Sequence, residues 1–305
     1  MTKPEAATGS EVPPPFEMVL ERLLDRQQLT PGTRTAYRRD LRRYLAGLHC
    51  WGVTDLQSIT EKLLRRTLGK LVDAGFSPAT IARNLSSIRG FHRFLLLEGV
   101  CRSDPTEALE APEVERRSPE VLSVEEAERL LDGARGDSPL ELRNRAILEL
   151  LYAAGLRVSE LIALERSWLQ LDEALVRVRA GGRPRAVPLG RQAVLALRRY
   201  QERGRPGLVT RTDCPAFFVN SAGRPLSRMG VWKILRAAAD AAGITRRVSP
   251  AVLRHSFASH LLDGGAPLQD VQLLLGHARI TTTQVYARGS DHRLLEVHRS
   301  YHPRP

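Results

Sequence analysis

Apolar positions recur every three or four residues through most of the chain, the spacing of helices with one buried stripe. Thr30-Pro31 sets an N-cap hydroxyl before a proline at the first helical position, and Tyr37, Leu41, Tyr44, Leu45 and Leu48 follow on one face. Ser77-Pro78 repeats the device, with Ile81, Leu85, Ile88, Phe91 and Leu95 behind it. Helices are also predicted over Phe16–Gln28 and Glu61–Ala74. The stretch 103–120, SDPTEALEAPEVERRSPE, holds three prolines and no apolar period, so it is expected to be a linker. Beyond it, Ser123-Val-Glu-Glu126 spells a capping box, and Leu140–Tyr152 predicts a buried helix. Alternating valines on either side of Gly181-Gly182 predict a β-hairpin from Ala174–Arg179 and Arg185–Leu189, with Ala216–Asn220 as a third short strand. Three further helices are expected, from about Ser227 to Ala242, from Ser249-Pro250 to Leu262, and from Pro267 to Leu275. The fold class is mainly α with a small antiparallel sheet.

Charge narrows the class of partner. The chain has 305 residues, 46 Lys+Arg against 34 Asp+Glu and a formal net charge of +12, which favours a polyanion, with nucleic acid ahead of anionic membrane. Lysine stands only at 3, 62, 70 and 233, so arginine dominates. Arg34, Arg38, Arg39 and Arg42 on the second helix, and Arg83 and Arg89 on the fourth, are the expected DNA contacts. Aromatic residues are 5% of the chain, too few for a single-strand stacking platform, so double-stranded DNA is the expected partner. Cys50, Cys101 and Cys214 are widely spaced with no Cys-x-x-Cys, which supports neither a disulfide framework nor a zinc knuckle; no metal or cofactor is expected. No leader-like or 18-residue apolar run is found, so a cytoplasmic protein without a membrane span is expected.

Several polar residues stand in unusual places. Arg157 follows a glycine directly after the apolar helix, with Glu160 three residues on; read alone, that is an ordinary i,i+3 ion pair. Arg254 sits in the second turn of an otherwise apolar helix, either snorkelling or aimed at an anion. His255 and His260 are its neighbours. His277 follows the helix-stopping Gly276, and Tyr286 comes nine residues later. Two arginines, a histidine and a tyrosine in this order fit phosphodiester chemistry without a metal.

The segments GLRVSEL, LRHSFASHLL and LLGHARITTTQVYAR resemble, in order and spacing, the signature boxes of the tyrosine recombinases, and most nearly those of the bacterial Xer subfamily. LTPGTRTAYRRDLRRYL resembles that family's N-terminal core-binding domain, VRVRAGGRPRAVPLG its catalytic-domain hairpin and HRSYHPRP its tail. The resemblance implies a disordered tail over 1–11, a helical core-binding domain over 12–102, a linker over 103–120 and a catalytic domain over 121–305 ending in a tail that docks on a neighbouring subunit. It implies site-specific recombination in chromosome-dimer resolution or DNA integration, by a homo-tetramer or by a hetero-tetramer with a paralogue. Tyr286 would attack phosphorus to give a 3′-phosphotyrosyl link, without ATP. Arg157 and Arg254 would hold the non-bridging oxygens, His277 would bond the phosphate or help deprotonate the tyrosine, and Glu160 would orient its neighbours.

Two departures stand against that pattern. Ala251 occupies the family's histidine position in His-x-x-Arg, and the hairpin turn RAGGRPR lacks the family's general-acid lysine. Arg179, Arg183 or Arg185 would then approach the phosphate, Arg183 foremost, although a guanidinium is a poor proton donor. His255 lies about 100° around the helix from Arg254, which turns it away from the vacancy. The competing readings are a DNA-binding architectural partner with weak or lost cleavage, and a topoisomerase-like strand relaxer, against which the tail speaks.

Overall fold

The structure is a computed structural model that describes residues 12–27, 29, 31–114, 120–180, 183–209, 214–276 and 290–304. The 1–11 tail, Thr30, the Gly181-Gly182 turn, His277 and Tyr286 lie outside the described residues. The chain divides into two units, Met1–Arg117 and Ser118–Pro305.

The first unit is built on helices α1 (Pro14–Arg26), α2 (Pro31–Cys50), α3 (Glu61–Asp73) and α4 (Pro78–Leu97). Ser77 caps α4 by accepting from Thr80 N at 3.3 Å, ahead of Pro78. The apolar stripes predicted for α2 and α4 meet in one core: Leu41, Tyr44, Leu45 and Leu48 pack with Leu85, Ile88, Phe91 and Leu95, and with Phe16, Leu20 and Leu23 of α1. The Tyr44 hydroxyl lies 2.7 Å from His92 Nε2, so the core's polar groups meet each other. The expected linker is partly claimed by this unit. Thr106 and Leu109 are buried, Leu109 joins the core, and Arg89 donates to the Leu109 carbonyl. The apolar side chain of Leu109, isolated among prolines and acids, carries no periodicity that would reveal this.

The second unit adds α5 (Val124–Asp132), α6 (Pro139–Ala154), α7 (Val158–Ile162), a three-stranded sheet, then α8 (Arg191–Arg199), α9 (Arg228–Ala241), α10 (Pro250–Asp263), α11 (Leu268–Leu275) and α12 (Ser290–Tyr301). The sheet is antiparallel in the order β1 (Leu169–Gln170), β2 (Leu175–Ala180), β3 (Arg183–Pro188), with Val176 opposite Val187 and Val178 opposite Arg185. Its third strand is therefore Leu169–Gln170 and not the expected Ala216–Asn220. Residues 216 and 219 form only isolated bridges, to Glu165 and Pro225, because Phe217, Phe218 and Val219 are all buried and turn in the core instead of alternating.

α6 is the central element. Ser138 and Glu141 close its capping box, and its last nine residues, 146–154, are all buried. It ends at Gly155, whose φ of 54° and whose missing Cβ, which would lie 2.5 Å from Phe257 Cδ1, both require glycine. The C-terminal tail, expected to dock on a neighbouring subunit, is seated on its own unit in this single chain. Leu294 and Val297 of α12 enter the core, and His298 Nε2 donates to the Ala153 carbonyl at 2.9 Å, which fixes the proton on Nε2. His302 stacks on His298 at 4.5 Å, and Arg304 reaches Glu149 at 3.2 Å.

Candidate active site

Gly155 redirects the chain so that Arg157 becomes the N-cap residue of the short helix α7, with Glu160 at its third position. The Glu160 carboxylate accepts from Arg157 N at 2.8 Å and from Arg157 Nη1 at 3.0 Å. The predicted i,i+3 pair is therefore present, but its acid is buried. Glu160 also takes Arg185 in a fork, Nη1 to Oε1 at 2.8 Å and Nη2 to Oε2 at 3.0 Å. Arg185 Nε donates to the Leu274 carbonyl at 2.8 Å. The two side chains are 7% and 5% exposed.

Arg185 is thus a buried anchor and not one of the hairpin arginines that approach a phosphate. Its role was readable from the strand period: Arg185, Val187 and Leu189 alternate on one face, and both apolar members are buried. For Arg179 and Arg183 only the backbone is described, paired with Pro184 and Ala180 in the hairpin ladder.

Arg254 does not snorkel: its side chain is 11% exposed. Its Nη1 donates to the Gly155 carbonyl and its Nη2 to the Leu275 carbonyl, each at 2.6 Å. These oxygens stand at the C-terminal ends of α6 and α11, where the helix dipoles favour a cation. Ser249 and Pro250 start α10 in the register that makes this possible. Burial, followed by repulsion from Arg157, pushes the Arg254 guanidinium down to about 10, with Glu160 opposing and Arg185 adding to the repulsion. Burial alone would raise Glu160, but the Arg185 hydrogen bonds and charge outweigh it and hold the carboxyl below its usual range.

Three arginines therefore converge on one carboxylate, leaving a net positive site whose open side is Arg157, with its side chain 40% exposed. A seat of this kind suits a phosphodiester: Arg157 stays open to a ligand while Arg185 and Arg254 are held fixed behind it. His260 is consumed structurally, between the Tyr152 hydroxyl at 2.8 Å and the Leu122 carbonyl at 2.8 Å. His255 and Ala251 are both exposed on α10. Among the described residues no group of three His, Cys, Asp or Glu is placed to hold a metal ion, and no helix is long and apolar enough to cross a membrane.

The arginines expected on DNA divide into two sets. Glu17, Glu21 and Asp25 form an acidic stripe on α1 that pairs in turn with Arg42, Arg38 and Arg34 of α2. Arg42 Nε lies 2.9 Å from Glu17 and Arg38 Nε 2.7 Å from Glu21, and Arg34 also meets Asp25. Their charge is answered within the unit, which the sequence of α2 alone does not show. Arg89 is likewise occupied by the Leu109 carbonyl. Arg39 keeps an exposed side chain and Arg83 a half-buried one, and both flank the buried Asp40, with Arg83 Nη1 2.8 Å and Arg39 Nε 3.7 Å from its oxygens.

Comparison with known proteins follows the same outline. Residues 120–293 match the phage integrase family and residues 18–99 match the phage integrase N-terminal SAM-like domain. The chain is 42% identical over 298 residues to tyrosine recombinase XerD of Chlorobaculum tepidum, covering 95% of this chain and 98% of that protein. It is 44% identical over 298 residues to tyrosine recombinase XerD of Mycobacterium tuberculosis strain H37Rv, covering 93% and 96%. Among solved structures, the XerH site-specific recombinase bound to palindromic difH substrate has a TM-score of 0.68 at 21% identity, covering 92% of this chain and 82% of that chain, a likeness of fold.

Proposed function

Because the chain belongs to the phage integrase family and is a tyrosine recombinase, a DNA strand-transferring enzyme of site-specific recombination, we propose that Arg157 and Arg254 seat the scissile phosphate while Tyr286 attacks it. The attack leaves a 3′-phosphotyrosyl link and a free 5′-hydroxyl, so the bond energy is kept for rejoining to another strand. The two guanidiniums neutralise charge that grows on the non-bridging oxygens in the transition state. Glu160 and Arg185 are positioning residues: they fix Arg157 and the end of α11 without touching DNA. His277 bonds the same phosphate or takes the tyrosine proton.

The observation that carries this reading is the anchoring of Arg254 by two helix-end carbonyls beside the Glu160-held Arg157. Preorganised donors of this sort cost no rearrangement when the reaction occurs. Exposed Arg39 and half-buried Arg83 of the first unit supply phosphate contacts that place the duplex, and a tetramer on two duplexes exchanges the strands. Resolution of chromosome dimers in the nucleoid is the cellular task that fits a chain with close Xer relatives.

The test is single-turnover formation of covalent protein–DNA adducts. Arg157→Ala and Arg254→Ala are each expected to lower its rate by about 10²–10³, as loss of one oxyanion donor does, while DNA affinity falls much less. Rates unchanged in both variants would contradict the assignment.

A further inference from the structure

Cleavage of a phosphodiester also needs a proton for the departing O5′, and the arginines of the site do not supply it. Arg254, even at about 10, stays cationic at neutral pH, and a guanidinium parts with its proton too reluctantly to act as an acid. Lysine is scarce: Lys62 and Lys70 lie on α3 of the other unit, and Lys233 lies on α9.

The exposed face of α10 offers another group. Ala251 and His255 are one helical turn apart, about 40° from each other around the axis, and both are exposed while Val252, Leu253 and Phe257 are buried. Side chains on a helix lean toward its N-terminus, so a residue covers the surface above the preceding turn. Residue 255 therefore covers the patch at residue 251, with Cβ atoms about 5–6 Å apart. Ala251 presents only a methyl group there and leaves that space open. The same patch borders Arg254, which begins three residues after Ala251. The angular offset between His255 and Arg254 is thus the wrong comparison; the offset from Ala251 decides where the imidazole reaches.

His255 is also uncommitted. Its helix neighbour His260 is held between Tyr152 and Leu122, whereas His255 has no hydrogen-bond, ion-pair or ring partner among the described residues. Histidine is the side chain suited to give and regain a proton near neutrality.

We propose that His255 is a catalytic residue, the general acid that protonates the leaving O5′. The inference rests on the phosphotyrosine reading above. In the step, the Tyr286 oxygen bonds to phosphorus and its proton passes to solvent or to His277. The P–O5′ bond breaks with its electron pair on O5′, which takes the proton of His255, and His255 is reprotonated from solvent. Rejoining runs the same transfers in reverse.

The test uses the full chain and a duplex bearing a site recovered from wild-type adducts, made once with the ordinary bridging O5′ and once with sulfur in its place. A thiolate leaves without a proton. His255→Ala is expected to slow adduct formation on ordinary DNA by about 10²–10⁴ and to leave the sulfur substrate nearly unaffected, with thermal melting as in wild type because the side chain is exposed. Equal losses on both substrates, or no loss on ordinary DNA, overturn the proposal, as does this pattern appearing in Lys233→Ala instead. A wild-type chain that forms no adduct on either substrate overturns the phosphotyrosine reading itself, whereas wild-type adducts with unaltered His255→Ala rates overturn only the role of His255.

Discussion

Arg185 of the hairpin and Glu160 of α7, 25 residues apart in sequence, form a buried fork with both N–H···O distances between 2.8 and 3.0 Å. The pair ties the sheet to the turn that carries Arg157, and through the Leu274 carbonyl it also ties the end of α11. Removing one member of a buried ion pair leaves the other charge uncompensated, at a cost of about 3–5 kcal/mol. Glu160→Gln is expected to destabilise the second unit by that amount in urea unfolding. The paired change Glu160→Leu with Arg185→Met should recover part of the stability, because Arg185 is no longer stranded although Arg254 still loses its carboxylate neighbour, yet adduct formation should remain lost because Arg157 has no anchor. Recovery of both would show that Glu160 does not position Arg157.

The α1–α2 ion-pair ladder alters what the α2 arginines are expected to do. If Arg38 and Arg42 held two phosphates, removing both would flatten the slope of log affinity against log salt by roughly one to two units. With Glu21 and Glu17 already opposite them, Arg38→Ala combined with Arg42→Ala should change the slope by well under one unit. Arg39→Ala combined with Arg83→Ala should change it by about one, carried mainly by the exposed Arg39, because Arg83 is already 2.8 Å from Asp40. Conversely, Glu17→Gln with Glu21→Gln frees two arginines and should steepen the slope, at a stability cost of about 1 kcal/mol or less per exposed pair. Filter binding across a salt series distinguishes these cases.

The helices of both units were legible because their signals are local: Ser77-Pro78, Ser123 with Glu126 and Ser249-Pro250 all cap the helices that their residues predict. The hairpin was legible from alternating valines. What escaped the sequence is long-range. Nothing near Arg34, Arg38 or Arg42 announces the acids of α1, and Leu109 has no periodic neighbours to mark it as core. Arg254 was noticed as an arginine out of place, but its partners are backbone carbonyls, which no side-chain motif encodes. Arg185 differs, since its burial follows from the strand alternation that it shares with Val187 and Leu189. The arginine end of the site is therefore visible in the sequence as residue types, while the geometry that fixes them is not.

The tail should be released by acid. Burial pushes His298 down to about 4 and His302 down to about 3, against an ordinary value of 6.5, and in His302 the neighbouring His298 adds to the effect. Between 6.5 and these values the unfolded tail binds protons that the seated tail does not, so the seat is fully stable above pH 6.5 and weakens as pH falls. Hydrogen exchange of α12 amides should accelerate from about pH 6 downward. His302→Phe keeps the packing against Tyr152 and Phe257 and removes one titrating group, so it should make that acceleration less steep. An identical pH profile in the variant would exclude His302 from the linkage.

The most direct test of the account is the identity of the residue joined to DNA. Tyr152 and Tyr200 are both buried in the core, which leaves Tyr286 and the half-buried Tyr301 as the candidates in the second unit. Wild-type protein incubated with fragments of its genomic DNA, followed by denaturation, nuclease and protease digestion, should yield one nucleotide-linked peptide. Mass spectrometry is expected to place the 3′-phosphate on Tyr286, and Tyr286→Phe should give no adduct while binding DNA as tightly as wild type. A linkage mapped to any other residue, or adducts that persist in Tyr286→Phe, would contradict the account.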